Sequence, residues 1–255
     1  MIRLIACDLD GTLLTPDGTL PEGIFDMIRR LDSRGIRFAA ASGRQYGNLY
    51  RLFAPVADIM AFLCENGALI DVGGARQVTR FPRALAEEII RDIRAAGMEV
   101  LLSTEEASYM PTDAPRSYTD DIFYRLGNTC ALVRDPALYA SQAIKLSGFL
   151  ASGVAPLAPA LQKKWGTRLH CDIAGDKWLD FTLTDKGAGI CALTEALGVS
   201  LQDTAAFGDQ FNDESMLDLA GRPYIMAHAP APLRQKGYTP CVSVMDTLED
   251  ILARA

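Results

Sequence analysis

The chain has 255 residues, of which 49% are hydrophobic and 22% are charged, and its formal net charge is -7. This length and composition suit a globular protein with one large domain or two modest ones. The acidic balance and the lack of a dense basic stripe in the sequence argue against nucleic acid or an anionic membrane as a partner.

The lack of a recognisable targeting signal and the spacing of the cysteines favour a cytoplasmic location. The sequence shows no charged leader followed by an apolar segment and no run of about 18 apolar residues, so we expect neither secretion nor membrane insertion. Its six cysteines are scattered singly, without a C-x-x-C pair. Reduced thiols fit this pattern better than a disulfide or zinc framework.

The first 80 residues alternate between strand and helix patterns. Apolar runs at Ile2–Cys7, in "IRFAAAS" and in "IMAFLCEN" predict three buried strands, and "PEGIFDMIRRLDSRG" predicts a helix between the first two. The stretch "ALIDVGGARQVTRF" predicts a hairpin that turns at Gly73 and Gly74. Strands that alternate with helices predict a parallel α/β sheet.

The pattern changes after about residue 81 and returns near Asp185. Between them we predict a helix in "RALAEEIIRDIRAAG", strands in "MEVLLST", "FYRLGNTCALV" and "AIKLSGFLAS", a short helix in "APLAPALQKKWG", and a hairpin of "TRLHCDIAG" with "KWLDFTLT". The later segment predicts helix, strand, helix and strand in "KGAGICALTEALGV", "TAAFGD", "ESMLDLA" and "PYIMA". We therefore predict a discontinuous α/β domain, 1–82 and 184–255, with an α+β domain at 83–183 inserted in it.

Two aspartates, Asp8 and Asp10, follow the first predicted strand. Ligands of open α/β sheets bind outside the carboxyl ends of the strands, although aspartate is also common in plain turns. At about 4 Å and an effective dielectric near 20, two unit negative charges repel by roughly 4 kcal/mol. A divalent cation such as Mg²⁺ would relieve that repulsion and would let a carboxylate approach a phosphate. Such a site needs further acidic ligands and a lysine or arginine.

The sequence supplies further carboxylates and a cation. Asp209 and Asp213 follow another apolar run in "AAFGDQFNDESML", although Asp213 alone could be a helix cap. Lys186 begins a predicted helix, where the helix dipole disfavours a cation. A solvated lysine is the ordinary interpretation, but a neighbouring anion explains this position better.

Ser42 and Gly43 follow the second predicted strand in "AASGR". A hydroxyl and backbone N–H groups at this position would bind a phosphate oxygen, whereas Ser42 alone could simply cap a helix.

Four stretches in this order, "DLDGTLL", "ASGR", Lys186 and "GDQFND", resemble the four motifs of the haloacid dehalogenase-like superfamily. The resemblance covers the whole chain and is closest to the Cof-type sugar-phosphatase branch, in which an α+β cap is inserted between the second and third motifs. The stretch "CENGALI" is also similar to one that is common in that branch. The resemblance implies a Rossmann-like parallel sheet core with an inserted cap domain.

The resemblance also implies a role for each matching residue. Asp8 matches the nucleophile that forms an aspartyl-phosphate, and Asp10 matches the general acid and base. Mg²⁺ would be held by Asp8, the backbone carbonyl of Asp10 and Asp209, with Asp213 in support. The phosphate-binding positions are Ser42, Gly43, Lys186 and Asn212. Because members that cleave carbon–halogen bonds lack the second aspartate, Asp10 argues against dehalogenation.

Three alternatives remain from the sequence. A phosphomutase would share every core residue. A dinucleotide-dependent oxidoreductase is suggested by "GAGICA", which fits G-x-G-x-x-A and has Asp209 twenty residues beyond Gly189. However, Asp185 and Lys186 separate that motif from the preceding strand, and "DLDGT" is left without a role. A non-catalytic role is the third alternative. It would be expected if one of the charged motif residues were replaced, and none of them is.

We therefore expect a cytoplasmic, Mg²⁺-dependent phosphatase that hydrolyses small phosphate monoesters, sugar phosphates foremost. The expected partner is a small phosphorylated metabolite, without nucleic acid or membrane, and the chain is expected to be a monomer. Arg44, directly after "SG", is a candidate for substrate contact, although a solvent-facing ion pair is at least as good an interpretation of this residue.

Overall fold

The structure is a computed structural model that describes residues 1–120, 122 and 127–254. The chain divides into two compact units. The larger unit contains 1–43, 49–77 and 185–255, and the smaller unit contains 44–48 and 78–184.

The larger unit is built on one eight-stranded sheet. Its strands are β1 (Leu4–Cys7), β2 (Arg37–Ala41), β3 (Met60–Cys64), β4 (Leu69–Val72), β5 (Ala75–Val78), β12 (Thr204–Gly208), β13 (Arg222–Met226) and β14 (Thr239–Cys241). Their order across the sheet is β14-β13-β12-β1-β2-β3-β4-β5. The pairs from β14 to β3 are parallel, and β4 runs antiparallel to β3. The central strands are buried along their whole length, which explains their continuous apolar sequences.

Helices cover this sheet and supply its core. They are α1 (Ile24–Ser33), most of α2 (Tyr46–Leu52), α6 (Lys186–Leu197), α7 (Glu214–Leu219), α8 (Ala231–Arg234) and α9 (Val244–Ala253). Ile190 and Leu193 of α6 pack in one apolar cluster with strand residues such as Leu4 and Ala39. In α1 the buried side chains recur at helical spacing on one face, at Ile24, Met27, Ile28 and Leu31.

The smaller unit contains a six-stranded sheet with helices. Its strands are β6 (Glu99–Ser103), β7 (Ser108–Pro111), β8 (Cys130–Val133), β9 (Lys145–Phe149), β10 (His170–Ile173) and β11 (Trp178–Thr182), in the order β10-β11-β9-β6-β7-β8. All neighbouring pairs are antiparallel except β7 with β8. Its helices are α3 (Arg83–Ala95), α4 (Arg116–Asp120) and α5 (Ala158–Trp165).

One face of the smaller sheet packs against α3 and α5. Ile89 and Ile93 of α3 and Trp165 of α5 share an apolar cluster with Leu146 of β9. The indole Nε1 of Trp165 donates a hydrogen bond to Asp92 at 2.9 Å, which satisfies the polar atom of this buried ring and joins the two helices.

The predicted elements recur in the structure wherever it describes the chain. The hairpin of β4 and β5, the helix at α3 and the hairpin of β10 and β11 all form as expected. Phe123–Leu126 of the predicted strand "FYRLGNTCALV" lie outside the described residues, and the described strand there begins at Cys130. β7, β14 and the helices α2, α4, α8 and α9 were not predicted from the sequence. Most of these segments are too short to display a period, but α9 does have its buried residues at helical spacing, at Val244, Leu248, Ile251 and Leu252, and the prediction missed it.

In the described part of the chain, no helix is long and apolar enough to cross a membrane.

The glycines of "GAGICA" are explained by helix packing. Gly189 lies in the second turn of α6, where an added Cβ would come within 2.8 Å of the Leu63 side chain and 2.9 Å of the Gly67 Cα. Gly187 is similarly close to Ser215, because its added Cβ would lie 2.8 Å from the Ser215 Cβ. Both glycines therefore let α6 approach its neighbours closely, a role that involves no dinucleotide.

We expect Gly189→Ala to lower the free energy of unfolding by about 1–3 kcal/mol, the usual cost of overpacking a core. Alanine favours a helix by about 1 kcal/mol relative to glycine, so packing and helix propensity act in opposite directions here. Urea unfolding followed by circular dichroism measures the change. The control is Ala188→Gly at the exposed neighbouring position, which should cost about 1 kcal/mol from propensity alone. A Gly189→Ala variant more stable than the parent protein would contradict the packing argument.

Candidate active site

Asp8 lies directly after β1, at the carboxyl edge of the parallel strands. Its backbone N–H donates to the Phe207 carbonyl of β12 at 3.0 Å, which extends the strand ladder by one residue. Asp8 is 6% exposed, whereas Asp10 is exposed in the turn that follows. The two aspartates of the motif therefore differ in setting, because one carboxylate is enclosed at the end of the strand and the other stands in an open turn.

Lys186 joins two of the predicted acidic residues. Its ammonium donates to Oδ1 of Asp8 at 2.6 Å and to Oδ1 of Asp213 at 2.6 Å. The side chain is fully buried at the first position of α6, and Asp185 caps that helix by accepting from the Ala188 N–H at 2.7 Å. The two carboxylates explain why a cation occupies a helix start that disfavours it.

The carboxylate of Asp213 accepts three hydrogen bonds. One oxygen accepts from Lys186, and the other accepts from the backbone N–H groups of Asp209 at 2.9 Å and Gln210 at 3.0 Å. Because Lys186 and these N–H groups occupy both of its oxygens, Asp213 is suited to orienting Lys186 and the loop after β12. Direct metal ligation by Asp213 would need one of these bonds to be replaced.

Asp209 follows β12 and lies beside the turn after Asp8. Thr12 donates to its Oδ1 at 3.1 Å, and the Gln210 side chain donates to its Oδ2 at 3.1 Å. Gly11 makes this approach possible, because an added Cβ there would lie 2.4 Å from Oδ2 of Asp209. Gly11 also has a φ of +83°, a left-handed conformation that favours glycine.

The site holds three carboxylates but one cation, Lys186, so its negative charge is only partly neutralised. Burial, followed by the nearby charge of Asp213, raises the pKa of Asp8 from 3.8 to about 7, even though Lys186 opposes the shift. Burial and Asp213 likewise raise the pKa of Asp209. For Lys186, burial alone would lower the pKa, but Asp213 and Asp8 outweigh it and raise the pKa above its usual range. Lys186 is therefore charged at neutral pH, and the site still needs positive charge.

The arrangement fits a hard divalent cation. Asp8, Asp209 and Asp213 each offer a carboxylate oxygen, and these three oxygens lie within 4.8 Å of one another. Mg²⁺ prefers such oxygen ligands and usually takes few of them from the protein. Asp8 and Asp209 are better suited to hold it than Asp213. The partners of Asp209 are neutral side chains, whereas Asp213 is held by the Lys186 ammonium and by two backbone N–H groups.

The predicted phosphate-binding residues lie on neighbouring strand ends and loops of the same unit. Ser42 follows β2, and its carbonyl accepts from the Asn66 N–H at 3.2 Å. Asn66 is also next to Gly43 and Asn212: an added Cβ at Gly43 would lie 3.0 Å from the Asn66 Oδ1, and the Asn212 amide is 3.5 Å from the same oxygen. Asn66 therefore lies between two of the predicted residues. Arg44, the candidate for substrate contact, belongs to the smaller unit.

Sequence reasoning missed several supporting residues. Thr12 and Gln210, which hold Asp209, stand inside motifs that the sequence did single out, so their position was the available signal. His228 was missed altogether. Its Nε2 is 2.8 Å from the Gly11 carbonyl and 3.9 Å from Oδ2 of Asp209. The signal was its place two residues after β13, at the edge of the sheet that carries the other site residues.

Comparison with known proteins identifies the family. A family model described as haloacid dehalogenase-like hydrolase matches residues 5–239. The chain belongs to this family.

Named relatives and a solved structure agree with this assignment. The chain is 28% identical over 253 residues to an HMP-PP phosphatase of Cronobacter sakazakii, and the alignment covers 95% of this chain and 90% of the relative. It is 27% identical over 243 residues to a 5-amino-6-(5-phospho-D-ribitylamino)uracil phosphatase of Escherichia coli (strain K12), which covers 89% and 86% of the two chains. A haloacid dehalogenase-like hydrolase from Bacteroides thetaiotaomicron has the same fold, with a TM-score of 0.85 at 19% identity, and covers 98% of this chain and 100% of that one.

These findings confirm the predicted family, with its Cof-type branch, and the α/β fold class. They also confirm the broad prediction of a phosphatase among the hydrolases of this family. The oxidoreductase alternative has no further support, because packing accounts for Gly187 and Gly189.

The raised pKa of Asp8 predicts how stability depends on pH without a divalent cation. In the folded chain Asp8 keeps its proton up to about pH 7, whereas its ordinary pKa is 3.8. The stabilising contribution of this group is therefore complete below pH 4 and is lost as pH rises through about 7. Relative to the parent protein, Asp8→Asn should become more stable across this window, by roughly 2–4 kcal/mol above pH 7.

Urea unfolding at several pH values in EDTA measures this difference. The control is Asp58→Asn, at an exposed position, which should follow the parent protein at every pH. A constant difference between Asp8→Asn and the parent protein from pH 4 to pH 8 would show that Asp8 titrates normally.

Proposed function

We propose that this protein is an Mg²⁺-dependent phosphatase that hydrolyses small phosphate monoesters through an aspartyl-phosphate intermediate. The observation that carries the proposal is the buried Lys186 ammonium shared by Asp8 and Asp213 at 2.6 Å each, beside Asp209. Such a set of charges is costly to bury unless it serves a charged ligand. A phosphate dianion with a divalent cation has the charges that this site needs.

In the proposed reaction Asp8 is the nucleophile and Asp10 is the general acid and base. A carboxylate oxygen of Asp8 bonds to phosphorus while the bond from phosphorus to the ester oxygen breaks, and Asp10 gives its proton to the departing oxygen. Water then attacks phosphorus and gives a proton to Asp10, while the bond from phosphorus to the Asp8 oxygen breaks. This step releases inorganic phosphate and regenerates the Asp8 carboxylate. The exposed position of Asp10 suits a group that meets the leaving alcohol and then water.

Other residues of the site would orient the phosphoryl group and neutralise negative charge. Lys186 holds the charge of Asp8 and would attract the phosphate oxygens. Ser42, Gly43 and Asn212 are proposed to donate hydrogen bonds to the phosphoryl group. When bound, Mg²⁺ would be held by Asp8, the carbonyl of Asp10 and Asp209, and would supply positive charge against the phosphate.

The proposed substrates are phosphate monoesters of sugars, polyols or related metabolites. One relative is named for a substrate with a phosphorylated ribityl chain, which supports this class. We also propose that the smaller unit is the cap that makes specificity contacts, with boundaries near 83 and 183, and that the enzyme acts as a monomer. The supporting observation for a cap is the α+β character of that unit.

The first test is the release of inorganic phosphate from sugar phosphates, nucleotides and p-nitrophenyl phosphate, with Mg²⁺ and with EDTA. Release should require Mg²⁺, and Asp8→Asn should reduce it by at least about a thousandfold, the usual effect of removing a nucleophile. Asp58→Asn, at an exposed position of the same unit, should retain full activity. Appreciable turnover by Asp8→Asn would remove Asp8 from the nucleophile role.

The same panel separates the phosphatase from a phosphomutase on the same core. A mutase should release phosphate slowly from every compound and should convert hexose monophosphates only when a hexose bisphosphate is added. If the protein shows that dependence, the hydrolase proposal is wrong.

The second test concerns the proton. Asp10→Asn should slow the hydrolysis of sugar phosphates by about 10²–10⁴-fold, because their alkoxides leave poorly without a proton. Loss of activity toward p-nitrophenyl phosphate should be much smaller, since nitrophenolate leaves without one. Steady-state kcat values of Asp10→Asn and the parent protein for both substrates measure the two losses. Equal losses would indicate a role in the water-attack step or a folding defect.

A further inference from the structure

The turn that carries Asp10 contains the residue type with the greatest backbone freedom. Asp10 has a φ of −74° and a ψ of 112°, and Gly11 has a φ of 83° and a ψ of −3°. These are the angles of the two central residues of a type II turn, whose second position favours glycine. Because glycine takes many other angles as readily, contacts from the surrounding structure have to select this conformation.

Two side-chain contacts within the larger unit hold this turn. The Thr12 hydroxyl donates to Oδ1 of Asp209 at 3.1 Å, and Nε2 of His228 lies 2.8 Å from the Gly11 carbonyl oxygen. Because a carbonyl can only accept, Nε2 of His228 is the donor in this bond. The bond acts on the peptide group between Gly11 and Thr12, which comes directly after Asp10 in the turn.

The backbone on both sides of His228 is itself fixed. The Ala227 N–H donates to the Cys241 carbonyl of β14 at 2.8 Å, and the Ala229 N–H donates to the Met226 carbonyl of β13 at 3.0 Å. Ala229 is also buried in the apolar cluster beside the larger sheet. His228 therefore reaches the turn from a fixed point at the end of β13, although its own ring is largely exposed.

We propose that His228 is a positioning residue for Asp10, which holds the turn at 10–12 in the geometry that proton transfer needs. The inference rests on the proposed function, since it takes Asp10 as the general acid and base. His228 itself does not touch the substrate and transfers no proton. Its hydrogen bond removes conformational freedom from the turn, so that Asp10 is held where it can reach the departing oxygen.

The first test uses leaving groups of different quality. His228→Ala should lower kcat for a sugar phosphate by about tenfold, because a displaced general acid protonates a poor leaving group less effectively. The loss with p-nitrophenyl phosphate should be much smaller, since nitrophenolate leaves without a proton. The control is His170→Ala in β10, the other histidine of the chain, which is exposed and should leave both kcat values unchanged. Losses of equal size for the two substrates would overturn the proposal.

Two replacements separate the hydrogen bond from the charge and ring of the imidazole. The amide nitrogen of glutamine can stand nearly where Nε2 of histidine stands, so His228→Gln should keep the bond and most of the activity toward sugar phosphates. Asparagine is shorter and does not reach that position, so His228→Asn should resemble His228→Ala. If His228→Gln loses as much activity as His228→Asn, the bond to Gly11 is not the cause and the proposal is wrong.

A double-mutant cycle tests whether His228 acts through Asp10. In the Asp10→Asn background, His228→Ala should cost little further activity toward sugar phosphates, because the group that it positions is already gone. His228 is also 3.9 Å from Oδ2 of Asp209, a proposed ligand of Mg²⁺. Losses that multiply independently, or a loss that disappears when Mg²⁺ is raised to saturation, would indicate action on Asp209 and would overturn the proposal.

Failure of the proposed function can be recognised separately. A parent protein that releases no phosphate from any ester in the presence of Mg²⁺ contradicts the proposed function and, with it, the role of His228. An active parent protein whose His228→Ala variant keeps parental kcat values contradicts only the role of His228. Urea unfolding shows whether each variant is folded. A destabilised His228→Ala with an unchanged ratio of the two kcat values would show a structural bond alone and would also overturn the proposal.

Discussion

The site depends on one buried cation between two carboxylates. Lys186 bonds to Asp8 and Asp213 at 2.6 Å each, and all three side chains are shielded from water. Removing Lys186 would leave two buried carboxylates without a cation, which is far more costly than the ion pairs are stabilising. The surrounding structure therefore has to deliver the three groups together: Asp8 from the end of β1, Asp213 from the loop after β12, and Lys186 from the start of α6. This requirement ties the sheet, the loop and the helix to one geometry.

The position of α6 follows from the same requirement. Lys186 can reach both carboxylates only if α6 lies close to the sheet, and Gly189 permits this approach because an added Cβ there would meet Leu63 of β3. Gly187 permits a similar approach of α6 to Ser215 of α7. Asp185 completes the arrangement by capping the first turn, which keeps the helix start intact although a lysine occupies it. A glycine spacing that resembles a dinucleotide motif is thus produced here by packing. The chemistry of the preceding residues, rather than the spacing, distinguishes the two.

Much of the core could be predicted because its signals are local. Buried parallel strands read as continuous apolar runs, and β1, β2, β3 and β12 were found in this way. The clustering of Asp8, Asp209 and Asp213 followed from their places after strands that end at one edge. Residues whose partners lie far away in the sequence were missed. Gln45 meets Thr129 across 84 positions of sequence, and His228 meets Gly11 across 217. Short elements such as α4 and β14 were missed because a few residues cannot display a period.

The charge balance also constrains how the site could become active. Lys186 compensates about one of the negative charges, and burial, together with the charge of Asp213, raises the pKa of Asp8 to about 7. A carboxylate can attack phosphorus or hold a cation only in its ionised form. Under the proposed function, binding of the divalent cation therefore favours the same protonation state of Asp8 that nucleophilic attack requires. By thermodynamic linkage, a group that is held partly neutral in the cation-free chain becomes fully ionised as the cation binds. Because burial disfavours the ionised form of Asp8, the reactivity of Asp8 would thus depend on the presence of the metal.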